Sequence, residues 1–341
     1  MKKKTTQTIW PWCALILAVI VFAIGGYFYL NQEQTSYPLP AEDITVAVSK
    51  LEATTLVRVA LENGYFKKHG LNVTMTEQDL GKFSLKEVFE GRADIATVAE
   101  TPVVKNAFNR DDYQLFATIH ESSTNAKLIG LKEHGIESAE DLRGKKIGTT
   151  VGTVGEYFLS SFLLHSGMGT NDIELVDERP AALTEMLMAG EIDAFALREP
   201  HVFRAQEVLG DNATVFAQDN IYTATFDVVA MTAFIEKNPQ IIERFLQALL
   251  EAEEFVKDHR EEAIDLVSES LLLNRDYLDE TWEESIFELS LTQNLLVTME
   301  HEARWVVDSG AVDSVEIPNY LQYLYFDAIE EVKPDSLTII R

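Results

Sequence analysis

The sequence predicts an α/β protein with mostly parallel sheets, and three observations predict it. From Ile44 to Thr232, short β-branched runs alternate with amphipathic stretches of helical period, the pattern of successive βαβ units. After Phe234 the strands stop and helical patterns take over, so the C-terminal part is helical. The chain is 341 residues long with 46% hydrophobic residues, enough apolar surface for a full core but long for a single one.

In chain order, the strands expected are Ile44–Val48, Leu71–Thr76, Asp94–Val98, Leu115–Ile119, Leu128–Leu131, Lys146–Thr149, Ile173–Val176, Asp193–Ala196 and Val228–Thr232. Each is a short run of β-branched or apolar residues bounded by turn formers. Between them Leu56–Asn63, Leu85–Glu90, Val154–His165 and Ala181–Ala189 show helical spacing. Beyond Phe234, Pro239–Lys257, Glu261–Ser270, Asp276–Glu284, Leu289–Asp308 and Tyr320–Val332 read as helices. Ile241, Phe245, Leu249 and Ala252 form the apolar stripe of the first of these.

Charge narrows the function. Asp and Glu total 56 against 28 Lys and Arg, a net charge of −28. Such acidity excludes a nucleic-acid binder, which needs a basic face for phosphates. Much of it sits in residues 251–288, with 14 acidic side chains against three basic ones, the mark of a solvated helical surface. A single cysteine, Cys13, rules out internal disulfides and a cysteine-rich metal site.

The N-terminus differs from the rest. Lys2, Lys3 and Lys4 form a basic end (residues 1–9) before the uncharged run Trp10–Leu30. As a helix that run would reach about 30 Å, the thickness of a bilayer's hydrocarbon core. The lysines should stay cytoplasmic and everything after Leu30 should be exported, to the periplasmic or outer face of the plasma membrane. An uncleaved transmembrane anchor fits the length and the aromatic ends, Trp10, Trp12, Tyr27 and Tyr29. A cleaved signal peptide, with Ala23-Ile24-Gly25 as its site, is the competing outcome. Residues 31–42, with Pro38 and Pro40, read as a linker.

Five stretches together carry a resemblance. They are LVRVALENGYFKKHGLNV (Leu56–Val73), GRADIATVAETP (Gly91–Pro102), SAEDLRGKKIGTTVGTVG (Ser138–Gly155), LMAGEIDAFALREP (Leu187–Pro200) and the strand, Phe234, Pro239 and long helix of Asp227–Leu250. In this order they resemble the exported solute-binding proteins of ABC importers for nitrate, sulfonates, taurine and the thiamine pyrimidine precursor. The resemblance implies the two-lobed periplasmic-binding-protein fold of type II, with a ligand held between lobes. One lobe would comprise residues 43–123 and 226–341, the other 124–225. Hinge segments would lie at Glu121–Asn125 and Tyr222–Asp227. The implied partners are a small-molecule ligand, an ABC permease with its ATPase, and the membrane through the N-terminal helix, with the protein itself a monomer and no cofactor or metal needed.

Candidate binding residues follow from strand ends that run into helix starts, where free N–H groups collect. After the strand ending at Thr149, Thr150 leads to Thr153 and Glu156, spaced as a capping box. Thr101, beside Glu100, reads as the hydroxyl cap of a helix with Pro102 at its first position. Ser49 and Lys50 lead into Thr54 at the end of the first strand. Ser122, Ser123 and Asn125 fall in one hinge segment and Asp227 in the other. Arg198 is the sharpest candidate: after a buried strand, its guanidinium can grip an anion bidentately. An ion pair with the adjacent Glu199 is its alternative use.

Catalytic signatures are missing. The seven histidines are scattered, and no His-Glu-x-x-His, Gly-x-Ser-x-Gly, Walker or Gly-x-Gly-x-x-Gly pattern occurs. The expectation is a non-enzymatic binder of a small anion. A heteroaromatic ligand is the alternative, and a membrane-anchored sensor acting through a partner is a role of a different class.

Overall fold

The computed structural model describes residues 41–217 and 222–341. The basic end, the apolar run Trp10–Leu30 and nearly all of the linker lie outside the described residues. Among the described residues no helix is long and apolar enough to cross a membrane.

Two five-stranded sheets organise the chain. The first is built from β1 (Glu42–Ser49), β2 (Leu71–Gln78), β3 (Ile95–Ala99), β4 (Tyr113–Ser122) and, far along the chain, β10 (Ala224–Met231), in the order β2-β1-β3-β10-β4. The second contains β5 (Ala126–Leu131), β6 (Lys146–Thr149), β7 (Glu174–Asp177), β8 (Ala194–Arg198) and β9 (Ala213–Phe216), in the order β7-β6-β8-β5-β9. The chain passes from the first sheet to the second between Ser122 and Ala126 and returns between Phe216 and Ala224. Each sheet centres a lobe, and residues on both sides of the second lobe build the first.

The sheets are mixed, which corrects the expectation of mostly parallel ones. β1 pairs in parallel with β2 and β3, and β6 with β7 and β8. The other neighbours, β10 with β3 and β4 and β5 with β8 and β9, are antiparallel. The physical reason is the exchange itself. Strands reached by crossing between lobes arrive without the crossover helix that a parallel neighbour requires.

Helices cover the sheets. In the first half they are α1 (Thr55–Glu62), α2 (Tyr65–Lys68), α3 (Gly81–Phe89) and α4 (Glu100–Ala107) on the first lobe, then α5 (Val154–His165), α6 (Pro180–Met188) and α7 (His201–Leu209) on the second. After β10 come α8 (Thr232–Lys237), α9 (Pro239–Asp258), α10 (Arg260–Leu271), α11 (Arg275–Thr281), α12 (Gln293–Asp308) and α13 (Asp327–Val332). The apolar stripe of α9 is buried as its spacing requires, with Ile242, Phe245 and Leu249 fully enclosed. Phe245 stacks on Phe66, ring centroids 5.0 Å apart, tying the C-terminal helices to the first lobe.

Several boundaries moved. Glu42, placed in the linker by composition, starts β1. β9 escaped the sequence reading because four half-buried residues at a sheet edge show no alternation. The helix expected from Leu289 begins only at Gln293, capped by Thr292, because Ile286 and Ser290 instead bridge to Glu121 and Thr118 of β4. The helix expected at Tyr320–Val332 breaks in two. Tyr320 and Tyr323 turn inward to hydrogen-bond the carbonyls of Val104 and Ala107, and Leu324 runs extended beside Leu115.

Candidate functional site

β8 ends on Arg198, which is only 5% exposed although it lies at the junction of the lobes. Its Nε donates to Asn125 Oδ1 at 2.6 Å. Nη1 and Nη2, both buried, have no hydrogen-bond partner among the described residues. The guanidinium carbon sits 5.2 Å from the centre of the Phe226 ring of the first lobe. The expected alternative, an ion pair with Glu199, does not form. Glu199 Oε1 instead pairs with Lys127 across the sheet at 3.1 Å, and Oε2 accepts the Phe203 N–H at the start of α7.

Asn125 relays between the lobes. Its Nδ2 donates to Glu52 Oε1 at 2.6 Å while its Oδ1 serves Arg198. Amide orientation is thereby fixed, since only nitrogen can give to the carboxylate and only oxygen can take from the guanidinium. Glu52 Oε2 is buried without a partner among the described residues. Burial raises the pKa of Glu52, and the charge of Arg198 opposes that rise. A buried cation thus has carboxylates near it yet an unused fork.

The fork borders a cleft between the lobes. Leu51, Leu80, Ala99 and Phe226 line it from the first lobe, and Val154, Gly155 and Leu197 from the second. Its volume, about 20 Å³ at water centres, is room for a water or two. Two glycines shape the walls. A Cβ on Gly81 would lie 2.7 Å from Val98 Cα, and one on Gly155 would lie 2.7 Å from the Ala196 carbonyl, so α3 and α5 can start this close to β3 and β8 only with glycine there.

Contacts across the cleft hold the lobes together in this structure. Lys82 donates to the Val151 carbonyl, and Lys105 of α4 pairs with Glu156 of α5 at 2.9 Å. Arg179 lies 3.4 Å from Asp79, its guanidinium 4.3 Å from the Phe83 ring. Tyr157 packs edge-on against Trp305 at 5.2 Å.

The other residues expected at the site divide into near and far. Thr153 lines the cleft as the N-cap of α5, yet the expected capping box is not formed. Thr153 Oγ1 donates to the Thr150 carbonyl and Glu156 accepts from the Gly152 N–H, which leaves the N–H groups of Val154 and Gly155 without partners among the described residues. Thr150 itself bonds the Glu178 carbonyl. Thr101 is not a cap, because α4 begins two residues earlier than expected, at Glu100 with Ala99 as N-cap; the Thr101 hydroxyl donates to Glu302 at 2.8 Å. Ser49 and Thr54 are fully buried: the Thr54 hydroxyl and the Ser49 carbonyl accept from Arg58, while the Ser49 hydroxyl bonds Ser84. Lys50 is exposed at the cleft's outer rim, 4.0 Å from Asp79. Ser122 bonds Thr124, and Ser123 is exposed. Asp227 and Glu100 are fully buried behind the cleft wall.

Sequence reasoning missed Glu52, Phe226, Lys82, Tyr157 and Glu302. One of them carried a readable signal. On α12, Leu295, Met299, Glu302 and Val306 share the inward face, and a carboxyl inside an apolar stripe is abnormal.

Comparison with known proteins places this geometry. The family model described as NMT1/THI5 like matches residues 53–263, more than half of the chain. A Bacillus subtilis protein named for binding aliphatic sulfonates is 25% identical over 262 residues, covering 75% of this chain and 77% of its own length. The taurine-binding periplasmic protein of Escherichia coli is 25% identical over 217 residues, covering 63% and 67%. The alkanesulfonate-binding protein SsuA of Xanthomonas axonopodis pv. citri, solved with MOPS, superposes with a TM-score of 0.73 at 14% identity, covering 84% of this chain and 99% of that one. The desulfurization enzyme DSZB shares the fold as well, with a TM-score of 0.62 at 15% identity, covering 86% and 99%. The fold therefore serves both binding and catalysis.

Proposed function

The chain belongs to the NMT1/THI5-like family, and from that premise we propose that it is the solute-binding component of an ABC-type importer. The ligand in this reading is a small anion of the sulfonate class, held between the lobes on Arg198. One observation carries it: Nη1 and Nη2 of a 5% exposed arginine have no partner among the described residues, at a cleft between two lobes. A buried guanidinium left unpaired is costly, and a tetrahedral or planar oxyanion supplies the missing acceptors bidentately. Each charge-assisted bond is worth about 1.5–3 kcal/mol. The amides of Val154 and Gly155 at the start of α5 add two more donors from the same lobe. The negative net charge does not help, so affinity must come from these local donors.

The space at the Arg198 fork, about 20 Å³, is too small for an organic anion, so the lobes part for entry and close on the ligand with more room than here. Closure then presents a single surface to the permease. Exported relatives support a position outside the cytoplasm, with Trp10–Leu30 as the export or anchor segment. A binding role is favoured over catalysis by the names of the relatives, and the chain's single cysteine, Cys13, lies far in sequence from the cleft residues.

A thermal-shift series with ethanesulfonate, taurine, nitrate, bicarbonate and a neutral aminopyrimidine tests the proposal. A ligand at a hundredfold excess over its Kd stabilises by about 2.7 kcal/mol. Sulfonates are expected to raise Tm. A rise with the aminopyrimidine alone would replace the anion by a heteroaromatic.

A further inference from the structure

Behind Arg198 lies a group of carboxyls whose hydrogen bonds do not close without extra protons. Glu100 stands at the start of α4, Asp227 in β10 and Glu302 on α12, all with zero exposure. Thr118 Oγ1 donates to Asp227 Oδ1 at 2.7 Å, and Thr101 Oγ1 to Glu302 Oε1 at 2.8 Å. Thr225 touches two carboxyls at once. Its Oγ1 lies 2.9 Å from Asp227 Oδ2 and 3.3 Å from Glu100 Oε2, and its N–H donates to that same Glu100 oxygen at 2.9 Å. A hydroxyl carries one proton, so Thr225 cannot fully satisfy both carboxyls. Glu100 Oε1 and Glu302 Oε2 are buried and find no conventional donor among the described residues.

The three acids are not equivalent. Burial, then the charge of Glu100, pushes Glu302 well above the usual carboxyl range. Burial does the same to Asp227. Glu100 is also raised by burial, but N–H donors and the charge of Arg198 oppose the rise. Arg198 therefore keeps the charge state of Glu100 open. The other groups facing the cluster are Glu121 of β4, Tyr157 of α5, Tyr320 and Tyr222 before β10, whose hydroxyl is buried without a partner among the described residues. Glu52 and His120 share the field of Arg198, and burial with that charge holds His120 neutral. At the edge, Lys105 is occupied by Glu156.

We propose that the site has a second ligand, a proton: capture of an anion on Arg198 is coupled to uptake of one proton by the Glu100–Glu302 pair. The inference rests on the anion reading above. An anion on Nη1 and Nη2 offsets the charge that opposes the rise at Glu100 and brings negative charge into a dry site. A proton from solvent then settles on Glu100, and no bond in the ligand changes.

The sign follows from linkage. Glu100 binds its proton more tightly in the complex than in the free protein. Affinity is highest below the free-state pKa, where both forms are protonated, and falls as pH rises toward the bound-state pKa. The fall reaches about tenfold per pH unit for one proton, then stops above the bound-state value.

Calorimetric titration with ethanesulfonate, whose charge is constant from mildly acidic to mildly alkaline pH, reads this directly. In buffers of different ionisation enthalpy the measured heat should differ, reporting uptake of about one proton per ligand in the coupled pH window. Glu100→Gln should bind ethanesulfonate with that uptake abolished. Should this variant fail to fold, Glu302→Gln, which removes the second acid of the pair, should move the window to lower pH. Binding with the same heat in every buffer, across the whole pH range, would overturn the inference and leave the anion reading intact. Loss of the uptake in Glu52→Gln but not in Glu100→Gln would overturn the assignment to Glu100. No ethanesulfonate binding at any pH would remove the anion reading, and this inference with it.

Discussion

Two buried arginines show what separates a structural cation from a binding one. Arg58 on α1 is 1% exposed and Arg198 at the end of β8 is 5% exposed. Arg58 is spent within its own lobe: Nε donates to Thr54, and Nη2 to the Ser49 carbonyl and to Glu77 at 2.9 Å. Arg198 gives Nε to Asn125 and keeps both terminal nitrogens free of partners among the described residues. Folding an unpaired cation into an interior costs several kcal/mol unless another molecule completes it. Arg58 stabilises the first βα turn, whereas Arg198 leaves a deficit at the meeting of two lobes.

The largest effect that can break this comparison is loss of the deficit. Arg198→Ala removes two charge-assisted bonds of about 1.5–3 kcal/mol each, so ethanesulfonate affinity should fall by about two to four orders of magnitude. Tm of the free protein should not fall, because the substitution removes a buried cation whose terminal nitrogens are unpaired among the described residues. Calorimetry beside thermal unfolding measures both. Unweakened binding would show that the fork is not the anion site.

Arg58→Met should do the reverse, and by less. Its loss removes the bonds to Thr54 and the Ser49 carbonyl and the ion pair with Glu77, costing about 1–3 kcal/mol of stability. Denaturant unfolding should record that loss, while ethanesulfonate affinity of the folded fraction stays within about twofold, as for a change with no shared partner. Weakened binding at unchanged stability would mean that the two arginines do not differ in kind.

The same pair explains what the sequence made legible. Alternation of β-branched runs and helical stripes is local, so nearly every strand and the cores of α5 and α9 could be read from spacing. Arg198 stood out because a guanidinium directly after a buried strand breaks the local pattern. Its free fork could not be read, since whether Glu199 turned toward it or toward Lys127 depends on the antiparallel neighbour β5. Ser49, Thr54 and Thr101 misled for the same reason. Hydroxyls at strand ends suit a ligand or a buried partner equally: Ser49 meets Ser84, Thr54 meets Arg58 and Thr101 meets Glu302, residues 4 to 201 positions away. Glu52 and Phe226 reach the site only once the crossing segments have folded, and nothing in their local sequence marks them.

A third cation lies between these extremes. Lys105 belongs to the first lobe but is satisfied by Glu156 of the second, at 2.9 Å, with side chains 18% and 15% exposed. It also sits 5.3 Å from the Trp305 ring. Its partner therefore exists only while the lobes are together. If closure traps the ligand, Lys105→Met should leave Tm of the free protein nearly unchanged and raise the rate of ethanesulfonate release. A partly buried pair of this kind is worth up to about 1 kcal/mol, or roughly fivefold in affinity. Stopped-flow release measured with Lys105→Met, Glu156→Gln and the double variant isolates the contact, since Glu156 also accepts the Gly152 N–H and its own substitution does more than remove the pair. Equal release rates in Lys105→Met and the parent protein would mean that this contact contributes nothing to holding the lobes closed over the ligand.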